Sequence, residues 1–208
     1  MDLGNGFPQS GTPAPTLPWR QAVEALAQAL KACDPSTYHH GARVGRLASR
    51  LGRRLGMPPG RCDLLGASGL LHDIGKIGIP ISLLCKPSPL TEEEQTRMRT
   101  HPVMGGAITD PLGGLGLAEV ARFHHERWDG QGYPSGLSGK AIPEEARIVG
   151  LADAFDTLTS HRAYHRGIAP DEALAELKFA RGTQFCPECV EALLALPEAE
   201  LFPKPGLS

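Results

Sequence analysis

His72 and Asp73 stand side by side at the end of an apolar run, Leu64-Leu65-Gly66-Ala67-Ser68-Gly69-Leu70-Leu71. A neutral imidazole beside a carboxylate can chelate one divalent cation, and the second carboxylate oxygen can bridge to another. Gly75 is expected to end the preceding helix without steric cost. Lys76 then places an ammonium within reach of whatever the metal binds. Of the eight histidines, five (His40, His72, His101, His124, His125) fall at inward-facing or joint positions, as do Asp73 and Asp153. One core histidine usually needs only a hydrogen bond, but each member of so large a buried polar set would need its own partner. Shared cations satisfy them together. Imidazole and carboxylate without thiolate suit iron, manganese, nickel, cobalt or zinc better than calcium or magnesium. The set exceeds the four ligands of a tetrahedral zinc and suits two octahedral ions bridged by Asp73 and a water. Such a site attracts an anionic phosphodiester, and two metals ~3.5–4 Å apart can clamp both attacking and leaving oxygens.

The elements that must position these donors read as helices. Trp19, Ala22, Val23, Leu26, Ala27 and Leu30 follow the 3.6-residue period, predicting an amphipathic helix over 19–32. A second is expected from about Thr37 to Leu55, with Val44, Leu47, Ala48, Leu51 and Leu55 on one stripe and His40 one turn before it. Pro58-Pro59-Gly60 breaks the chain, and a third helix carries it to His72. Ile77 to Leu84 reads as an irregular apolar connection. Thr91-Glu92-Glu93-Glu94 is a capping box opening a fourth helix. His101 precedes Pro102, which pushes it out of the α region and to a joint between helices. A fifth helix, Leu117 to His125, ends in the paired imidazoles.

A long loop follows, 126–142, rich in glycine, of a length that is usually functional or disordered. The next helix opens at Pro143 and is apolar nearly all round through Leu158, so it should be buried. Asp153 sits in its middle, where a carboxylate is expensive unless paired or metal-bound. Pro170 starts another helix, and a short one spans Val190 to Leu196. No strand alternates and no repeat is visible: the expected fold class is all-α, a compact multi-helix bundle.

Composition bounds the rest. The 208 residues, 41% hydrophobic and 21% charged, describe a soluble globular chain with one substantial core. A net charge of −2 supplies no basic face for duplex nucleic acid. No apolar run approaches the ~18 residues of a membrane span, and the N-terminus lacks a signal-peptide layout. An odd count of five cysteines suits a reducing compartment, and the expected location is the cytoplasm. Residues 1–18, rich in glycine and proline, read as a flexible leader, residues 19–200 as the catalytic domain, and 201–208 as a tail. Cys186-Pro187-Glu188-Cys189 is a lone CxxC with no second pair to complete a zinc site. Its redox reading rests on the lowered thiol pKa of a helix start, its plain reading on two small residues opening a helix.

His72-Asp73-Ile74-Gly75-Lys76 resembles the HD signature of metal-dependent phosphohydrolases. His124-His125-Glu126-Arg127-Trp128-Asp129-Gly130-Gln131-Gly132-Tyr133-Pro134 resembles the second signature that defines the HD-GYP subfamily. Flanking matches run from Asp34-Pro35 through Lys86-Pro87 and His101-Pro102 to Asp153-Ala154-Phe155-Asp156 and Arg162-Ala163-Tyr164, so the resemblance covers about residues 34–195. It implies a helical HD-type domain that hydrolyses cyclic di-GMP to linear pGpG or GMP by a metal-activated, metal-bridging hydroxide. The implied metal ligands are His40, His72, Asp73, His101, His124, His125 and Asp153, with Asp73 as bridge. The implied cofactors are two divalent transition metal ions, iron or manganese foremost. Lys76 would stabilise or protonate the leaving oxygen, and Arg162 and Tyr164 would contact the dinucleotide. The loop implies a lid or docking surface, in some relatives for diguanylate cyclase domains. No sensor domain precedes the core, so regulatory input is expected to be absent or supplied by a separate sensor chain.

Several positions depart from the pattern. Ser36 stands where members holding three metals carry glutamate, which favours two ions here, with Ser36 facing the pocket. Gly41 replaces the usual serine after the first histidine. Arg162-Ala163-Tyr164-His165 replaces ArgProTyrArg, and Cys186 replaces an aspartate. A decayed site would make the chain a catalytically weak dinucleotide-binding or protein-docking module. A different HD hydrolase acting on other nucleotides is a third reading, and the second signature argues against it.

Overall fold

The computed structural model describes residues 19–160 and 167–201. Among them the regular elements are all helices, with no strand and one isolated bridge between Arg181 and Phe185. Helix α1 (Trp19–Cys33) buries Val23, Ala27 and Leu30. Helix α2 (Pro35–Arg54) starts where Asp34 accepts hydrogen bonds from the Thr37 backbone N–H (3.0 Å) and hydroxyl (2.6 Å), a side-chain cap ahead of a proline at the first turn.

Helix α3 (Pro59–Leu71) lies against α2 at backbone distance, because the seam is built from glycine. A Cβ on Gly41 would sit 2.4 Å from the Leu70 carbonyl oxygen, and one on Gly45 would sit 2.3 Å from that of Gly66. The departure at Gly41 therefore has a steric reason: in this chain even a serine Cβ would push α2 off α3. The seam sets His40 on α2 beside His72 at the end of α3, with ring centroids 5.3 Å apart.

The irregular connection expected over Ile77 to Leu84 is instead the end of a 3-10 turn, Ile74–Gly78, followed by the short helix α4 (Ile81–Leu84). Helix α3 stops at Leu71, and Gly75 lies inside the 3-10 turn rather than in a left-handed cap. Its smallness serves contact: a Cβ there would stand 2.0 Å from the His101 carbonyl oxygen. Helix α5 (Glu92–Met98) opens on the expected capping box, with Thr91 and Glu94 bonded reciprocally. Helix α6 (His101–Thr109) begins at the expected joint, and α7 (Leu117–Phe123) ends just before His124.

Helix α8 (Glu144–Thr159) crosses the core with Ile148, Val149, Leu151, Ala152 and Phe155 buried. Its Asp153 side chain keeps 18% of its surface, less enclosed than the pattern predicts. Helices α9 (Pro170–Phe179), α10 (Pro187–Leu194) and α11 (Glu198–Leu201) close the chain. One apolar cluster joins α2, α3, α8, α9 and α10, and a smaller one joins α1, α3 and α7. The polar site lies where the two meet.

Candidate metal centre

Three of the imidazoles are fixed by a backbone carbonyl three residues back. Nδ1 of His72 lies 2.7 Å from the Gly69 carbonyl oxygen, Nδ1 of His101 2.8 Å from that of Met98, and Nδ1 of His124 2.9 Å from that of Ala121. A carbonyl only accepts, so each Nδ1 donates, and in the neutral ring the Nε2 lone pair is left to face inward. His40 is held differently: its Nδ1 lies 2.7 Å from Oδ2 of Asp156. That carboxylate is itself gripped by Arg43, at 2.6 Å to Oδ1 and 2.9 Å to Oδ2.

The inward atoms converge on Asp73. Its Oδ1 is 3.1 Å from His101 Nε2 and 3.8 Å from His124 Nε2, while Oδ2 is 3.4 Å from His72 Nε2 and 2.5 Å from Lys76 Nζ. Oδ1 of Asp153 lies 2.9 Å from His40 Nε2 and 3.9 Å from His72 Nε2. Two ligand sets result, one of Asp73, His101, His124 and His125, the other of His40, His72 and Asp73. Both sets include Asp73.

The donors fit divalent cations on two counts. Nε2 of His72 is buried and makes no hydrogen bond, an expensive state for a polar atom unless a ligand takes the lone pair. Nε2 of His101 and Nε2 of His124 face each other at 3.5 Å, and two neutral rings with both Nδ1 atoms donating present lone pair to lone pair there. This buried His/Asp cluster points to divalent metal binding. Ordered Nδ1 partners are also what orients metal-binding imidazoles.

Charge is divided unevenly. Burial works against an imidazolium at His40, but hydrogen bonds to Asp153 and Asp156 outweigh it and raise the pKa to about 9. Burial dominates at His125, with help from neighbouring histidines, and lowers its pKa to about 4. His124 is lowered well below the usual value for the same first reason. Burial alone would raise Asp73, yet the Lys76 ammonium beside it, the foremost opposing cause, holds it well below the usual carboxylate range. Burial likewise opposes ionisation at Asp153 and Asp156, and His40 overcomes it at both; Asp156, also held by Arg43, drops to about 2.

One wall of the site is the segment after α7. Residues 126–138 carry no helix, and Glu126 folds them back by accepting from the backbone N–H of Ser135 (2.7 Å) and Leu137 (3.0 Å). Tyr133 stacks on His125 with centroids 4.8 Å apart, and the Arg99 guanidinium lies 5.3 Å from the Tyr133 ring. Trp128 and Asp129 donate backbone hydrogen bonds to Gln184 (3.0 Å) and Thr183 (2.8 Å). Between this segment, α8 and residues 184–186 lies a cavity of about 260 Å³ bordered by His124, His125 and Asp153.

All the expected ligand residues and Lys76 thus meet in one place. Arg162 and Tyr164 lie outside the described residues, as do 1–18 and 202–208. Ser36 lies one turn before His40 on α2 and is exposed. The sequence reading passed over Asp156, Glu126 and Tyr133 as functional side chains. Asp156 had a signal, since it follows Asp153 by three on one helix and shares its face. Glu126 stands in the second signature, but its role was hidden because its partners depend on how the loop folds.

A helical bundle whose core holds a His–Asp pair at a helix end, surrounded by further histidines, defines the class of HD-type proteins. The chain belongs to the HD domain family, whose model matches residues 24–189. It is 42% identical over 178 residues to the cyclic di-GMP phosphodiesterase response regulator RpfG of Xanthomonas campestris, covering 84% of this chain and 47% of the relative. To a cyclic di-GMP phosphodiesterase of Thermotoga maritima it is 41% identical over 180 residues, 85% of this chain and 49% of the relative. The chain therefore spans about half the length of these curated relatives. Among solved structures, an HDG"Y"P protein from Bdellovibrio bacteriovorus superposes with a TM-score of 0.65 at 23% identity, over 84% of this chain and 62% of that one. No helix among the described residues is long and apolar enough to cross a membrane.

Proposed function

We propose that this chain is a metal-dependent phosphodiesterase of the HD-GYP subfamily that hydrolyses cyclic di-GMP to pGpG, GMP or both. The observation that carries the reading is the convergence of the His72, His101 and His124 Nε2 atoms on Asp73, with all three Nδ1 atoms sealed by backbone carbonyls. The substrate class is supported by the names of relatives more than 40% identical. We assign His101, His124, His125 and Asp73 to one divalent ion and His40, His72, Asp153 and Asp73 to a second, iron or manganese foremost. When bound, such ions neutralise phosphodiester charge and generate a nucleophile from water at neutral pH.

The protein's own groups do the remaining work. Asp73 takes both ligand sets into register. Lys76, with Nζ 2.5 Å from Asp73 Oδ2, holds a cation at the edge of the cluster, where it can stabilise or protonate the leaving oxygen. Arg162 and Tyr164 contact the dinucleotide in this reading. The wall formed by 126–138 excludes water, with Tyr133 against His125, and serves as a docking surface for diguanylate cyclase domains or a separate sensor chain. Residues 19–200 act as one catalytic domain in the cytoplasm, a location supported by five free cysteines.

The test is incubation of protein loaded with iron or manganese with cyclic di-GMP, following products by chromatography. The expected result is pGpG or GMP, lost on chelation. Binding of the dinucleotide without turnover under any of the five transition metals would replace this reading with that of a docking module.

A further inference from the structure

The pair Cys186 and Cys189 has no part in the reaction above, yet its surroundings differ from those of the chain's other thiols. Cys186 occupies the N-cap position of α10, with Pro187 at the first turn, and Cys189 is the third residue of that helix. Both are buried. Cys186 nevertheless forms part of the wall of the 260 Å³ cavity, so its sulfur can be approached from that side. Nη1 of Arg147 lies 3.6 Å from its Sγ, and Nε of Arg147 is buried without a hydrogen-bond partner. The same guanidinium lies 5.7 Å from the Trp128 ring.

A helix start and an adjacent guanidinium both favour thiolate over thiol. A hydrogen bond from the Cys189 thiol, against the opposing effect of burial, lowers Cys186 to about 5, with Arg147 contributing. Cys189 moves the opposite way: the negative sulfur beside it and its own burial keep it protonated. One sulfur is thus ready to attack and the other is ready to resolve. Residues three apart at a helix start bring their Cβ atoms to about 5–6 Å, within reach of a disulfide after small adjustment.

We propose that Cys186 and Cys189 form a thiol-modification site for low-molecular-weight disulfides, with Cys186 as the attacking thiolate on the cavity wall and Cys189 as the resolving thiol. The Cys186 sulfur attacks one sulfur of the reagent, its S–S bond breaks, and one thiolate leaves. Cys189 gives its proton to solvent or to the departing thiolate and attacks the Cys186 sulfur, expelling the second thiolate. The reagent disulfide is reduced by two electrons and the Cys186–Cys189 pair is oxidised by two. The modification removes the negative charge opposite Arg147, on a wall tied by backbone hydrogen bonds to the segment that packs on His125.

The test uses the full chain with the exposed Cys33 and Cys85 replaced by serine, treated with 4,4′-dithiodipyridine, whose released thiopyridone is read by absorbance. The parent should release two equivalents per chain and return a protein two hydrogens lighter at the peptide holding both cysteines. Cys189→Ser should release one and keep a stable mixed disulfide on Cys186, and Cys186→Ser should release none on that timescale, each with the parent's helical spectrum. At pH 6 the Cys186 reaction should run on the order of tenfold faster than that of free cysteine, the gain in thiolate fraction exceeding the loss in nucleophilicity. Release from Cys186→Ser at the parent's rate, or no mixed disulfide on Cys186 in Cys189→Ser, would overturn the assignment.

Discussion

His40 and His125 stand at opposite ends of one run of imidazoles, and the fold treats their rings in opposite ways. His40 sits between two carboxylates, Asp153 at 2.9 Å and Asp156 at 2.7 Å, and its pKa rises to about 9. His125 packs on His124 and His101, with centroids 4.1 and 5.1 Å away, and on Tyr133, and its pKa falls to about 4. Around neutral pH the metal-free protein therefore holds a proton at one end and bare lone pairs at the other. A cation entering at the His125 end meets neutral ligands, whereas one entering at the His40 end must displace a proton. The two halves share Asp73, but they start from different charge states.

The largest effect expected from breaking this asymmetry is at Asp153. In the proposed assignment Asp153 supplies carboxylate charge to an ion in the His40 half, and Asp153→Asn removes it. Hydrolysis should be abolished and metal content should fall by about half by elemental analysis, the ion beside His101, His124 and His125 remaining. The helical spectrum should be largely unchanged. Full metal occupancy with parental turnover would show that Asp153 is not a ligand.

Lys76 comes next and belongs to neither half, being tied to the shared Asp73. If Lys76 serves the leaving oxygen as proposed, it acts mainly in the transition state, and Lys76→Ala should lower kcat by ~10²–10³-fold and leave metal content nearly intact. A change confined to KM would make its role uniform substrate binding instead.

Asp156, which is not among the proposed ligands, then separates the two halves. It holds His40 Nδ1 and is held by Arg43, so it orients the imidazole from behind. Asp156→Asn should weaken the ion at the His40 half by ~10–100-fold in a chelator competition, with the other half unaffected. Equal weakening of both ions would mean that Asp156 supports the bundle rather than one ring.

These residues also mark how far the sequence could be read. The donors were legible because His72-Asp73, His101-Pro102 and His124-His125 fall at helix ends, where local rules fix both the element boundary and the direction of the side chain. The carbonyls that seal the Nδ1 atoms lie three residues back in sequence, so they were within reach of the same reasoning. Asp156 was harder, since its hold on His40 spans 116 positions and depends on α8 packing against α2. The 3-10 turn at Ile74–Gly78 was hidden for a related reason: Gly75 looks like a helix stop, whereas its role is set by the His101 carbonyl arriving from α6.

The smallest expected effect is on the stability of the metal-free protein, and it has two limbs. The folded pKa of His40 is about 9 against 6.5 for an ordinary histidine, so the fold binds its proton more tightly than the unfolded chain does. That contribution is complete below pH 6.5 and is lost as pH rises through about 9. His125 has the opposite sign, with a folded pKa of about 4. Its neutral ring favours the fold above pH 6.5, and that contribution is lost as pH falls toward 4. Urea unfolding of chelator-treated protein should therefore show greatest stability near pH 6.5, with a fall on the order of 1–3 kcal/mol by pH 9. Loading with metal replaces the His40 proton by a cation, so the alkaline fall should disappear in the loaded protein. A metal-free protein equally stable at pH 6.5 and 9 would show that Asp153 and Asp156 do not hold His40 as a cation, and the two ends of the cluster would then start alike.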